Sequence, residues 1–290
     1  MKLTDLIKIG KETISVLYPE REAGEMVFAY LEEALGTKKH THIVEPEYEV
    51  VSEKAETILE DFNRMAAGEP LQYVTGKAWF YGRQFHVTPD VLIPRPETEV
   101  LCNTVINRFH ADRGCKVLDM CTGSGCIAWT LALEMPGAEV AAVDISDGAL
   151  RVASTQDFAE EISRSGAQSP QFYKADVLEA PKELGQFDII VSNPPYVCDS
   201  EKLQMRPNVL EHEPHLALFV PDADPLMFYR AIAQLSGRLL KPGGALMFEI
   251  NERFGQETKK ILQDLGFGNC RVVQDIFGKD RMVLGYKNFS

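Results

Sequence analysis

The chain is expected to fold as α/β: a mostly parallel, doubly wound sheet of seven strands, preceded by a small helical bundle and a linking hairpin. Three observations predict this. Apolar residues recur at helical spacing through the first 69 positions, strand-like and helix-like segments alternate from residue 116 onward, and the first of those strands runs into a glycine-bearing turn that opens a helix.

Leu3, Leu6, Ile7, Ile14 and Leu17 form the stripe of a first helix, which should open at Thr4 or Asp5 as its cap and stop before Pro19. Ala23, Met26, Val27, Tyr30, Leu31 and Ala34 form a second, with Gly36 as its stop. A longer pattern between Pro46 and Gly68 (Val50, Val51, Ala55, Ile58, Leu59, Phe62, Met65) completes the bundle. From Ala78 to Pro94 aromatic and β-branched residues punctuated by Gly82, Pro89 and Asp90 predict a hairpin. Strands are then expected at 116–120, 139–143, 171–174, 187–192, 245–250, 270–276 and 281–286. Helices are expected near Pro96 and at 124–135, 147–162, 226–239 and 255–265, with a long loop up to about residue 225. The two adjacent final strands predict an antiparallel edge. The domain reading is 1–72 for the bundle, 73–95 for the linker with its hairpin, and 96–290 for the α/β domain.

At 290 residues the chain is long enough for about two domains and a sizeable core, and 45% hydrophobic with 25% charged residues excludes a disordered chain. The net charge of −13 has the wrong sign for a broad phosphate-gripping surface, so no direct DNA binding is expected. The first 69 residues carry 8 basic and 15 acidic side chains. Those acids form either a solvated face or a docking surface for a basic partner. The six cysteines include no C-x-x-C pair, no leader resembles a secretion signal, and no run approaches a membrane span. A cytoplasmic monomer with no membrane contact is expected.

Val117-Leu118-Asp119-Met120 leads directly into Cys121-Thr122-Gly123-Ser124-Gly125. In an open α/β sheet ligands bind beyond the carboxyl ends of the strands, and glycines let them approach the backbone. Asp144, at the end of the second strand, can accept hydrogen bonds from a ribose diol, so an adenosine-containing cofactor is implied. The loop fits a dinucleotide fingerprint as well as a methyltransferase loop. The strand 187–192 delivers Asn193-Pro194-Pro195-Tyr196 to the same crevice. Two prolines make a stiff segment with unanswered carbonyls. The Asn193 side-chain oxygen and the Pro194 carbonyl can accept both hydrogens of a planar –NH2 group while Tyr196 stacks on its face. Pro-Pro after a strand is also an ordinary loop starter, but its position beside the glycine loop favours the chemical reading.

An (Asn/Asp)-Pro-Pro-(Tyr/Phe) motif resembles that of the S-adenosylmethionine-dependent methyltransferases that modify planar nitrogens. Pro70-Leu71-Gln72-Tyr73-Val74-Thr75-Gly76, Phe80-Tyr81-Gly82 and Val91 through Glu99 (Val-Leu-Ile-Pro-Arg-Pro-Glu-Thr-Glu) resemble the linker and hairpin of the HemK/PrmC family. The similarity continues through Glu213-Pro214, Phe228-Tyr229-Arg230, Gly243-Gly244, Glu249-Ile250, Gly266-Phe267 and Asp280-Arg281, and so spans nearly the whole chain. The resemblance implies a class I methyltransferase domain, S-adenosyl-L-methionine as cofactor, and methyl transfer to the N5 amide nitrogen of a glutamine in peptide-chain release factors. By this resemblance Asn193, Pro194, Pro195 and Tyr196 are the catalytic set. Cys121, Thr122, Gly123, Ser124, Gly125, Asp144, Val177 and Asn193 hold the cofactor. Cys121 stands where many relatives have a glycine, Asn251 where a glycine is frequent, and Val177 where some have an aromatic residue, so that adenine would meet an aliphatic surface. Release factors are basic near their catalytic tip, which the acidic bundle would complement.

An amide nitrogen is a poor nucleophile because its lone pair is delocalised. The implied mechanism is positioning by Asn193 and Pro194, with no side chain named as base. No metal is expected: Pro214 breaks the helical pairing of His212 with His215, and Cys121 and Cys126 lack zinc spacing and are expected to be small buried residues. Arg95 and Glu97 either help hold the methionine end of the cofactor or cap the helix near Pro96. Competing functions are a glutamine methyltransferase for a ribosomal protein, a DNA adenine-N6 methyltransferase, a nicotinamide oxidoreductase and a non-catalytic adaptor. The oxidoreductase leaves 193–196 unexplained.

Overall fold

A computed structural model describes residues 1–109, 114–179, 184–275 and 277–289. They form two units, Met1–Lys77 with Met205–His212, and Ala78–Gln204 with Glu213–Ser290.

In the first unit α1 (Leu3–Ile14), α2 (Glu20–Leu35) and α4 (Ser52–Ala66) bury Leu6, Ile14, Val27, Leu31, Ile58, Phe62 and Met65 on facing stripes. Two short helices, α3 (Thr41–Val44) and α5 (Leu71–Thr75), join them. Packing is close enough that a Cβ on Gly10 would come within 2.6 Å of Phe62. The first helix starts earlier than the expected Thr4 or Asp5 cap. Leu3 N–H donates to Tyr48 O at 2.9 Å and Lys2 bridges to Glu49, so tertiary pairing sets the start and no side chain caps it. It also ends at Ile14, leaving Leu17 largely exposed. The segment Met205–His212, which contains α10 (Pro207–His212), belongs to this unit, with Arg206 paired to Glu22 at 2.8 Å.

The second unit opens with the hairpin β1 (Lys77–Phe80) and β2 (Arg83–His86), whose Phe80 and Phe85 are buried. Arg83 anchors it between Glu134 at 2.7 Å and Glu161 at 2.9 Å. Seven strands follow: β3 (Lys116–Met120), β4 (Glu139–Asp144), β5 (Gln171–Lys174), β6 (Phe187–Ser192), β9 (Leu240–Glu249), β10 (Phe267–Gln274) and β11 (Asp280–Lys287). Their order is β10-β11-β9-β6-β3-β4-β5, parallel except for β11. The antiparallel strand therefore lies one place in from the edge. Residue 276, the last of the expected strand 270–276, lies outside the described residues.

Two core layers follow from the period of two along each strand. Val117, Ile189, Val191, Ala245, Met247, Met282 and Leu284 face α6 (Thr98–Phe109) and α7 (Cys126–Glu134). Leu118, Ile190, Leu246, Phe248 and Val283 face α12 (Met227–Leu239) and α13 (Gly255–Asp264). The helix expected at 147–162 is two, α8 (Asp147–Ser154) and α9 (Ala159–Ser165). Gln156 leaves the helical path because its side chain bonds the backbone of His86 in both directions and the Ser124 carbonyl. The loop expected up to residue 225 contains β7 (Val197–Cys198), a 3-10 turn over 199–204, α10, α11 (His215–Leu218) and β8 (Phe219–Val220), all too short to show a period. Strand β9 begins at Leu240, before the expected 245, because residues 241–244 bulge opposite Asp188, whose carboxylate holds Lys241 at 2.8 Å.

Candidate active site

The strand order reverses direction between β3 and β6, so the crevice of a doubly wound sheet opens where these two strands end. Ser192 Oγ donates to Met120 O at 2.6 Å and ties the two ends together. A cleft of about 1110 Å³, open mouth included, lies there. Its walls bring together Cys121, Thr122, Gly123, Ser124, Asp144, Val177, Asn193 and Pro195 from the expected set, but neither Gly125, Pro194 nor Tyr196.

The glycine turn owes its shape to left-handed backbone. Gly125 (φ 79°) precedes α7, and a Cβ there would come within 3.0 Å of Ala153. Cys121 adopts φ 63°, a conformation that favours glycine and costs a side chain about 1–2 kcal/mol. The expected burial holds for Cys126 but not for Cys121, which is only partly covered and lines the cleft. Burial raises both thiols, Cys126 to about 12, so both stay protonated and unreactive.

Asp119, 0% exposed, lies beneath the turn and accepts from Thr122 Oγ1 at 2.6 Å. Burial outweighs that bond and lifts its carboxyl to about 7. Asp144 accepts from Gly123 N–H on one oxygen and Ser146 N–H on the other, both at 2.9 Å, while desolvation raises its pKa. Each oxygen keeps a lone pair for a further donor.

These residues fit S-adenosylmethionine. Nothing stands within 4 Å of a Cβ built on Gly123, leaving room beside the backbone, and Asp144 can take a diol. Ile145 and Leu178, each 43% exposed on the cleft wall, present aliphatic surface that a flat heterocycle would cover. Val177, expected to meet adenine, also lines the cleft but is only 6% exposed. Sequence reading missed Ile145 and Leu178, although an apolar residue directly after the strand-end acid was a usable signal.

On the β6 side, Asn193 Nδ2 donates to Thr98 Oγ1 at 3.2 Å, and its Oδ1 accepts from none of the described residues. Tyr196 packs against the second core layer, and its Oη donates to Glu249 Oε1 at 3.1 Å. Its hydroxyl thereby ties the turn to the end of β9. Burial pushes the Tyr196 hydroxyl up, so it remains a donor. Asn251 Nδ2 bonds Tyr196 O at 3.2 Å and Glu201 Oε2 at 3.0 Å, contacts a glycine could not make.

Arg95 lines the cleft, and its carbonyl accepts from Thr98 N–H at 3.1 Å at the start of α6, while its guanidinium does not stand alone. It pairs at 2.6 Å with Glu213, which is 4% exposed and also accepts from Ile93 N–H at 3.2 Å. That carboxylate pins the segment carrying Pro214, Leu216 and Ala217 to the cleft wall. Glu97 is exposed, outside the wall. His212 lies against Gly68 in the first unit, and His215 meets Phe219 edge-on at 5.1 Å. Among the described residues no group of three or more His, Cys, Asp or Glu could hold a metal ion, and no helix is long and apolar enough to cross a membrane.

Comparison with known proteins agrees with this geometry. Residues 97–214 match the family model of the methyltransferase small domain, and residues 11–76 that of the PrmC N-terminal domain. The T. Thermophilus 16S rRNA methyltransferase RsmC, solved with AdoMet and guanosine, superposes with a TM-score of 0.50 at 21% identity over 73% of this chain and 50% of that one, which shows the fold. The release factor glutamine methyltransferase of Bacteroides thetaiotaomicron is 48% identical over 76% of this chain and 77% of its own. That of Flavobacterium psychrophilum is 38% identical over 94% of both. With a helical N-terminal match, a methyltransferase match around the cleft and relatives aligned along most of their length, the chain belongs to the release factor glutamine methyltransferase family.

Proposed function

We propose that this protein transfers a methyl group from S-adenosylmethionine to the N5 amide nitrogen of a glutamine in a peptide-chain release factor. The observation that carries the reading is Asn193: it stands at the cleft wall beside the glycine turn, its amide nitrogen committed to Thr98 and its oxygen free to accept. S-adenosylmethionine, when bound, supplies a methyl group on a positively charged sulfur. Cys121 through Ser124, Asp144, Ile145, Val177 and Leu178 form the walls that receive it, and Gly125 sets the turn.

Asn193 Oδ1 and the Pro194 carbonyl hold the two hydrogens of the glutamine –NH2, presenting its nitrogen to the cleft. As positive charge develops on that nitrogen, the same two acceptors stabilise it. Pro195 forms wall, and Tyr196 holds the turn through Glu249. The departing proton goes to water. The protein acts in the cytoplasm as a monomer and does not bind DNA directly. Residues 1–72 dock the release factor: Glu53, Glu56 and Glu60 stand exposed along α4 and present acid to a basic partner.

Labelled methyl transfer to purified release factor is the test. Asn193→Ala is expected to lower kcat at least about 100-fold while the S-adenosylmethionine dissociation constant changes less than about threefold. Label on a ribosomal protein or DNA instead would overturn the substrate. Reversing Glu53, Glu56 and Glu60 to lysine should raise KM for release factor about threefold or more without touching cofactor affinity; an unchanged KM would remove the docking surface.

A further inference from the structure

Pro194 and Pro195 have no N–H, so the backbone between Asn193 and Tyr196 offers no donor of its own at these two positions, and its place is set from its two ends. One end is tied by Ser192 Oγ, which donates to Met120 O at 2.6 Å, and by Asn193 Nδ2, which donates to Thr98 Oγ1 at 3.2 Å. The other end is Tyr196. Its hydroxyl donates to Glu249 Oε1 at 3.1 Å, and its carbonyl accepts from Asn251 Nδ2 at 3.2 Å.

Asn251, 6% exposed, stands just past β9 and gives each polar atom of its side chain a partner. Its Oδ1 accepts from Arg253 N–H at 3.1 Å. A backbone N–H only donates and a backbone carbonyl only accepts, so this bond and the one to Tyr196 O fix which way the Asn251 amide is turned. The amide nitrogen also donates to Glu201 Oε2 at 3.0 Å, and that same oxygen accepts from Cys198 N–H at 2.8 Å. Arg253 lies 3.7 Å from Glu201 Oε1 and supplies a cation for the carboxylate. The chain directly after the turn is thereby gripped twice, by its carbonyl at Tyr196 and by its amide at Cys198. Glycine, frequent at position 251 in the family, offers none of these groups, so the clip belongs to this chain rather than to the motif.

We infer that Asn251 is a positioning residue for methyl transfer, working with Glu201 as a clip that fixes the far end of the Asn193–Tyr196 turn and with it the Pro194 carbonyl. Asn251 and Glu201 lie outside the cleft wall and act through the backbone of Tyr196 and Cys198. This rests on the reading of the site as one that methylates a glutamine amide.

The full-length protein is assayed as wild type, Asn251→Ala, Glu201→Ala and Glu201→Gln, with kcat and KM on release factor, S-adenosylmethionine affinity by calorimetry, and melting temperature. Asn251→Ala should lower kcat about tenfold, and no less than threefold, with KM and cofactor affinity each held within about twofold. Glu201→Ala should also cost at least about threefold in kcat. Glu201→Gln, whose amide oxygen can still accept from Asn251 and Cys198, should keep at least about half of the wild-type rate. The double alanine variant should lose less than the product of the two single losses, because both residues belong to one clip. A purely structural role would lower the melting temperature and leave kcat of the folded protein unchanged. Either alanine variant falling under threefold, cofactor affinity or KM moving more than twofold in Asn251→Ala, Glu201→Gln below half the wild-type rate, or losses that multiply would overturn the inference. Asn251→Ser, which can still accept from Arg253 N–H but is too short for both other contacts, gives the same comparison if the alanine variant does not fold. A wild type that methylates no release factor would overturn the functional reading itself, whereas an active wild type with an unaffected Asn251→Ala overturns only the inference.

Discussion

The two units bury different things. Among the described residues of the helical unit Thr37 is the lone buried Ser, Thr, Asn, Gln or charged side chain, and the interior is otherwise aliphatic and aromatic residues and Met, with Tyr30 sending its hydroxyl to Asp61. The α/β unit buries Thr98, Asp119, Thr122, Ser124, Ser192, Glu213, Glu249 and Asn251 near the carboxyl ends of its strands or in segments that meet them, Gln156 between α8 and α9, and the hydroxyls of Thr130, Ser236 and Thr258 inside α7, α12 and α13. Burying a polar group without full compensation costs free energy, and a sheet could be covered by aliphatic residues at less cost. The lesson is a division of labour: the bundle keeps its charges on its surface, while the α/β unit buries the carboxyl groups of Asp119, Glu213 and Glu249, which lie at strand ends or against the cleft wall, where a ligand is to be held.

The contrast can be broken in each unit in turn. Phe62→Ala should cost about 3–5 kcal/mol of stability, seen in chemical denaturation, because Phe62 is fully buried against Gly10 and Tyr30. Cofactor affinity of the folded fraction should not change; if it does, the units are not independent in function.

In the α/β unit the expected sign is reversed. The Asp119 carboxyl titrates near 7 in the folded protein and near the ordinary 3.8 when unfolded. The folded state therefore binds the extra proton between those values, and stability falls as pH rises from about 4 to about 7, by an amount on the order of 3–4 kcal/mol. Asp119→Asn cannot ionise, so its stability relative to wild type should climb across that window. A difference that stays constant with pH would show that burial there is not costly.

The smallest effect belongs to Cys121. Relief of its left-handed strain should make Cys121→Gly more stable by about 0.5–1 kcal/mol, the gain being reduced by the added freedom of the unfolded chain. A melting temperature below that of wild type would show that the thiol's packing outweighs the strain.

Most of the sheet was legible in the sequence because strands buried on both faces are short apolar runs, and the glycine turn and Asn193 follow such runs directly. Three kinds of information were not. Gln156 interrupts a helical pattern for hydrogen bonds to residues 70 positions away, which no local period can announce. Thr98 and Glu249 look like a helix-start residue and a strand-end acid until β6 and β9 lie side by side. The motif says nothing of the bond from the Tyr196 hydroxyl to Glu249, 53 positions on, or of the ring's packing against the second core layer. Motifs report which residues are near the chemistry; the direction in which each one points is settled by neighbours distant in the chain.

The position of β11 has a consequence for how the molecule comes into being. It lies between β9 and β10 although it follows both along the chain, and Arg281 O receives the N–H of Ile250, just past Glu249. A ribosome delivers β9 and β10 first; β9 can pair with β6 at once, whereas β10 has no strand partner and β9 keeps an open edge until β11 has emerged. The outer edge of β9, with the Ile250 N–H to Arg281 O bond just past Glu249, is thus closed only late in synthesis.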